Sequence, residues 1–218
     1  MRRKLKAIIF DLDGVVTDTS EYHYQAWKRL ADEERIPFNR NDNEKLRGVS
    51  RRECLKILLK GKQVSDEQFQ EMMDRKNEYY GELLKQMTSE NILPGAKELV
   101  LELKRRGIKT AIASVSKNTR TVLQGTGIES LFDVIADGYS VKNTKPAPDL
   151  FLFAAKELGV KPEDCAVVED AEAGIEAALA GNMIPIGIGP EERVGKARFR
   201  FEKIGDITLT KLLEIINF

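Results

Sequence analysis

Phe10-Asp11-Leu12-Asp13-Gly14-Val15-Val16-Thr17-Asp18-Thr19 closes an apolar run, Leu5-Lys6-Ala7-Ile8-Ile9-Phe10, that reads as a β-strand. Side chains alternate along a strand, so Asp11 and Asp13 point the same way at its tip. Two carboxylates there repel each other and are costly to desolvate, and a bound cation is the usual remedy. Gly14 lets the chain leave the strand at a steep angle. Taken alone, D-x-D-G also fits a loop calcium site or a simple turn.

Downstream of this stretch the pattern is helical from about residue 21 to about residue 86. Tyr22, Ala26, Trp27 and Leu30 mark an amphipathic helix, Leu55, Ile57, Leu58 and Leu59 a second. Ser65-Asp66-Glu67-Gln68 reads as the start of a third, which runs through Met72, Tyr79, Tyr80 and Leu84. Leu93-Pro94-Gly95 breaks the chain, and helices then alternate with strands at 107–113, 132–137, 165–168 and 184–188, ending in a helix at 208–216. This order predicts a parallel α/β sheet covered on both faces. The expected division is a Rossmann-like core from residues 1–16 and 89–218 with a helical cap inserted at 17–88.

Ligands of such sheets bind beyond the carboxyl ends of the strands, near a topological switch point. Several strands here end in polar groups: Asp11 and Asp13, Ser114, and Glu169-Asp170, with Lys145 in the loop before Pro146-Ala147-Pro148. Each has a plain alternative. Ser114 could cap a helix, Lys145 could be a solvated loop residue, and Glu169-Asp170 could be a pair favoured by a helix dipole. Converging at one sheet edge, they form a site for Mg2+ and a phosphate, since Mg2+ prefers oxygen ligands and keeps several waters.

In bulk the sequence is neutral. Lys plus Arg and Asp plus Glu number 35 each, which gives no general attraction to nucleic acid or an anionic membrane. The 218 residues, 42% hydrophobic, suit one α/β domain with an insert. No stretch approaches membrane-spanning length. Met1-Arg2-Arg3-Lys4 is basic, but the apolar run after it is too short for a signal peptide. Cys54 and Cys165 have no metal-ligand or C-x-x-C neighbour, and Cys165 lies in an apolar strand as a small core residue. A reduced, cytoplasmic setting is the expectation.

With these residues in hand, the chain resembles the haloacid dehalogenase-like superfamily over essentially its full length. Asp11-Leu12-Asp13-Gly14, Ser114, Lys145 and Glu169-Asp170 correspond in order to its four motifs. The resemblance implies that Asp11 is a nucleophile forming an aspartyl phosphate and Asp13 a general acid/base. It also implies that Mg2+ is held by Asp11, the Asp13 backbone carbonyl and Asp170, with Glu169 at or beside it. Ser114 and Lys145 then hold the other phosphate oxygens. A monomer is expected from the resemblance alone.

The insert narrows the resemblance. Residues 17–27, Leu46-Arg47-Gly48-Val49-Ser50-Arg51-Arg52-Glu53, Arg75-Lys76-Asn77 and Ser114-Val115-Ser116-Lys117-Asn118 are similar to the sugar-phosphate mutases of the superfamily. These interconvert β-D-glucose 1-phosphate and D-glucose 6-phosphate through the 1,6-bisphosphate. Such a mutase needs a second, distal anion site, and the planar fork of Arg51 suits it. As a plain alternative, Arg51 is an exposed helix-start residue. The resemblance places Thr19, His23, Trp27, Gly48, Val49, Ser50, Lys76, Ser114, Val115, Ser116, Lys117 and Asn118 around the substrate, with His23 near Asp13. Arg47 stands where lysine is common, and Val115 and Ala171 where alanine or serine would be equally expected. Two other readings stay open: a Mg2+-dependent sugar-phosphate or phosphoglycolate-type phosphatase, and a phosphate-sensing module without catalysis.

Overall fold

The computed structural model describes residues 5–216, so Met1–Lys4 lie outside the described residues. At its centre runs β1 (Ala7–Phe10). Ala7 and Ile9 belong to one apolar cluster, Ile8 and Phe10 to another, the period-two division of a strand buried on both faces. β2 (Lys109–Ala113) and β3 (Val134–Ala136) extend the sheet to one side. β4 (Cys165–Glu169), β5 (Ile184–Ile188) and β6 (Phe199–Phe201) extend it to the other. All pairings are parallel, in the order β3-β2-β1-β4-β5-β6. The chain leaves β1 for one side and returns for the other at β4. The crevice beyond the carboxyl ends of β1 and β4 is therefore the topological switch point.

Helices cover both faces. α7 (Asp149–Leu158) packs on β1, β2 and β3, and α8 (Glu172–Ala180) on β4 and β5. Leu150, Phe151, Ala177 and Ala178 fill that layer. α5 (Ala96–Arg105) covers β2, with α10 (Leu209–Ile216) against it, and α6 (Thr119–Thr126) follows β2. The short α9 (Glu191–Val194) links β5 to β6.

Between β1 and α5 the chain forms α1 (Ser20–Glu33), α2 (Arg40–Glu44), α3 (Arg51–Leu59) and α4 (Asp66–Leu84). α1 and α3 both pack on α4, and their apolar stripes (Trp27, Leu30, Leu55, Leu58, Tyr80, Leu84) join the cluster on one sheet face. Ser65 caps α4 in a reciprocal box with Gln68, as the sequence predicts. The two connections to these helices lie side by side. Thr17 bridges Ile92, Asp18 N–H donates to the Asn91 carbonyl (2.8 Å), and Leu93 N–H to that of Val16 (2.9 Å).

The third strand is shorter than the expected 132–137. The Asp133 carboxylate accepts the Thr110 N–H (2.8 Å), so a side chain replaces part of the ladder there. The strand β6 and the short helices α2 and α9 are additions to the predicted elements. Both cysteines are buried free thiols, pushed by burial up to about 12.

Leu103→Ala, at a fully buried position of α5, is expected to cost about 2–5 kcal/mol. Ser65→Ala, which removes one cap, is expected to cost only about 1 kcal/mol. Urea unfolding of the two variants checks the contrast.

Candidate active site

Four loops converge at the switch point. Asp11 directly follows β1, and its backbone N–H still donates to Val168 of the neighbouring strand (2.9 Å). Its side chain meets Lys145, which precedes a cis bond to Pro146. Lys145 Nζ lies 2.5 Å from Asp11 Oδ1 and 2.5 Å from Glu169 Oε1, and all three side chains are almost wholly buried. Glu169 ends β4, and its second oxygen accepts the Ala171 N–H (2.9 Å). Gly174 on α8 sits where a Cβ would overlap the Glu169 carboxyl, so the bare backbone there makes room for this group.

Asp11, Glu169 and Asp170 offer carboxylate oxygens within 4.8 Å of one another. One ammonium does not balance three buried carboxylates. Burial, reinforced by Glu169 and Asp13, outweighs Lys145 and raises the Asp11 pKa well above the carboxylate range. Burial and Glu169 push Asp170 up to about 7 against the pull of Arg47 and Arg193. A divalent cation supplies the missing charge, and an all-oxygen donor set suits Mg2+ chemistry. Lys145 occupies Asp11 Oδ1, and two arginines occupy Asp170 Oδ2, which leaves Asp11 Oδ2 and Asp170 Oδ1 toward a cation. Both Glu169 oxygens have hydrogen-bond partners, and the carboxylate remains one of the three that could hold a cation. The Asp13 carboxylate is not part of the triad.

Asp13 has partners of its own. Thr19 Oγ1 donates to its Oδ1, Ser114 Oγ donates to its Oδ2 (3.4 Å), and His23 Nε2 lies 3.7 Å from Oδ1. Burial works to raise the Asp13 pKa, but His23 and Thr19 outweigh it and hold the carboxyl below its ordinary value. On the far side of the imidazole, His23 Nδ1 lies 3.0 Å from Lys76 Nζ, and the Tyr80 ring stacks on His23 at 4.1 Å. Burial and then Lys76 lower the His23 pKa. Burial and the nearby Arg51 lower Lys76 to about 7.

Above these groups lies a cavity of about 640 Å³. Its lining includes Asp11, Asp13, His23, Trp27, Gly48, Val49, Ser50, Arg51, Lys76, Val115, Ser116, Lys117, Asn118 and Asp170. Thr19, Ser114 and Lys145 sit behind that lining, bonded to Asp13 or Asp11 in it, and Glu169 is joined to Asp11 through Lys145. Arg51 opens α3 behind the Ser50 cap, and burial lowers its pKa, with only weaker opposing pulls from Tyr139 and Asp74. A half-buried cation facing a cavity is built to receive an anion. The inserted helices rest on the core here: Asn118 Nδ2 donates to Asn77 Oδ1 (2.8 Å), and Arg47 Nη1 lies 3.0 Å from Asp170 Oδ2.

Residues 5–182 match the haloacid dehalogenase-like hydrolase pattern. The chain belongs to the haloacid dehalogenase-like hydrolase family. Among its relatives is a β-phosphoglucomutase of Bacillus subtilis (strain 168), 43% identical over 96% of this chain and 95% of that protein. A phosphorylated carbohydrates phosphatase of Thermotoga maritima is 33% identical over 98% of this chain and 97% of its own. The crystal structure of a β-phosphoglucomutase from Clostridium difficile superposes with a TM-score of 0.94 at 40% identity, covering 98% of this chain and 97% of that one.

As a haloacid dehalogenase-like hydrolase, the chain brings all the sequence-predicted residues into one cavity or its supporting layer. Four participants escaped the sequence reading as site residues. Tyr80 counted only as an apolar helix position, and Asn77 only as part of a resembling motif. Arg47 counted as a departure from lysine. Arg193, 3.2 Å from Asp170 Oδ2, gave no local signal at all.

Lys145→Ala leaves the Asp11 and Glu169 carboxylates buried without their counter-ion. Urea unfolding in a metal chelator is expected to show a loss of about 3–5 kcal/mol. Lys76 makes stability depend on pH. Its folded pKa of about 7 lies below an unfolded value of about 10.4. The unfolded chain therefore binds more protons between these values, and stability rises with pH from 7 toward 10. Lys76→Met is expected to flatten that rise, read as unfolding midpoints at pH 7 and pH 9.

Proposed function

We propose that this chain is a β-phosphoglucomutase, converting β-D-glucose 1-phosphate to D-glucose 6-phosphate through β-D-glucose 1,6-bisphosphate. The observation that carries the reading is one cavity with two anion-receiving ends: the Asp11, Lys145 and Asp170 floor, and Arg51 on the opposite, inserted side. A monophosphatase needs only the first of these.

In this reading residues 17–88 act as a cap on a core formed by 1–16 and 89–218. Phosphorylated Asp11 first gives its phosphoryl group to the free hydroxyl of β-D-glucose 1-phosphate, the bond from Asp11 to phosphorus breaks, and the hydroxyl proton passes to Asp13, which forms the 1,6-bisphosphate. With the bisphosphate bound the other way round, Asp11 attacks the phosphorus at C1, the bond to the C1 oxygen breaks, and Asp13 returns the proton to that oxygen, which releases D-glucose 6-phosphate and restores phosphorylated Asp11. Asp11, the Asp13 carbonyl and Asp170, with Glu169 at or beside them, would hold Mg2+, which would offset the repulsion between the anionic nucleophile and the phosphate. Lys145 orients Asp11 and favours its ionised form, and a bound cation would supply the rest of the charge that form needs. Asp13 is a carboxylate in its His23 and Thr19 cradle, the proton-accepting form. An approaching phosphate dianion raises its affinity for a proton, which suits the alternating role.

Arg51, Lys117, Ser116 and Asn118 receive the second phosphate, so the bisphosphate binds in either orientation. Trp27, Lys76, Gly48, Val49 and Ser50 line the sugar between the two ends, and Val115 and Ser114 close the core side. The lowered cap excludes water, so the sugar hydroxyl rather than water is the acceptor.

A coupled assay tests this. Given β-glucose 1-phosphate, Mg2+ and a trace of the 1,6-bisphosphate, glucose 6-phosphate is expected to form with little free phosphate. Free phosphate without glucose 6-phosphate would make water the acceptor, the phosphatase alternative. Arg51→Ala is expected to keep labelling of Asp11 by acetyl phosphate. It should lower mutase turnover by about 10–100-fold, the value of a lost charged contact.

A further inference from the structure

Asp170 Oδ2 carries two guanidiniums. Arg193 Nη1 reaches it at 3.2 Å from α9 on the core, and Arg47 Nη1 at 3.0 Å from the turn before α3. Arg47 is aimed by Glu44, which takes its Nε at 2.8 Å and Nη2 at 3.2 Å. The two cations therefore come from different parts of the chain, one from the segment between β5 and β6 and one from the helices between β1 and α5. The side chain they grip is only 6% exposed.

The charges explain why a carboxylate of the metal triad should be so crowded. Asp11, Glu169 and Asp170 bring three negative charges. Lys145 and a divalent cation cancel them, leaving Asp13 to its separate partners. That balance is neutral and offers nothing to a phosphate dianion. The two arginines add positive charge, part of it offset by Glu44 on Arg47, and leave the loaded site positive toward a phosphate. They do so from the outer oxygen of Asp170, so neither has to occupy the place of the cation on Oδ1. Placing them beside the metal also has a cost: like charges a few ångströms apart repel, and metal binding weakens.

We propose that Arg193 and Arg47 are positioning residues that set the charge of the metal-loaded site for a phosphate dianion, at the expense of metal affinity. The assignment rests on the phosphoryl-transfer reading above but not on which acceptor takes the phosphoryl group. A salt bridge that only held Asp170 in place would, when removed, weaken metal and phosphate binding together. A charge-setting pair makes a different demand: its removal moves the two affinities in opposite directions.

The test uses the whole enzyme and needs no turnover. Mn2+ affinity is read by electron paramagnetic resonance of the free ion. Inorganic phosphate affinity is read by calorimetry at saturating Mg2+. Arg193→Gln is expected to tighten Mn2+ binding by about three- to tenfold and to weaken phosphate binding by a similar factor. Arg47→Gln is expected to do the same, and Arg193→Lys, which keeps the charge, to restore both. Circular dichroism checks that each variant is folded. Weakening of both ligands would overturn the proposal in favour of a purely structural bridge, and unchanged affinities would overturn it outright. A mutase assay that failed while these opposite shifts appeared would reject the sugar acceptor and leave the charge role standing.

Discussion

The contact between Lys145 and the carboxylates of Asp11 and Glu169 is the constraint around which the rest is arranged. It joins three separate segments, the ends of β1 and β4 and the loop before α7, across the switch point of the sheet. Such a cluster is tolerable in a buried setting only when every charge is answered. The ammonium answers part, the Ala171 N–H part, and the remainder calls for a cation. The same imbalance that makes the cluster costly to bury alone gives it a reason to take up a cation. Gly174 shows how closely the backbone has been fitted to it, since even one added carbon would displace Glu169.

Around this centre the inserted helices supply a second network. His23 joins Asp13 to Lys76, and Tyr80 supports the imidazole from behind. The Asp13 carboxyl beyond β1 is thereby tuned by residues of the helices between β1 and α5. The sheet holds the charged cluster in place, and those helices adjust the surroundings of Asp13.

Much of this was legible in the sequence, for a physical reason. Strand ends are where short apolar runs stop, so Asp11, Asp13, Ser114, Glu169 and Asp170 announce their positions by what precedes them. The start of α4 was readable because the Ser65 and Gln68 box is a local, four-residue interaction. What was not legible depends on partners distant in sequence. Arg193 and Arg47 meet Asp170 from 23 and 123 residues away. Nothing in Glu191-Glu192-Arg193-Val194 marks one arginine as different from its neighbours. β6 is three residues, Phe199-Arg200-Phe201, too short for its alternation to register. The late start of β3 turns on a single Asp133 side chain that takes the Thr110 N–H.

The paired connections at Thr17 and Ile92 have a mechanical consequence. Two neighbouring segments clasped by backbone hydrogen bonds resist sliding past one another, so helices α1–α4 are held to the sheet in one register. Arg47 and Asn77 thereby reach Asp170 and Asn118 in a fixed alignment. A single-stranded tether would hold the two parts together equally well but would not preserve their alignment.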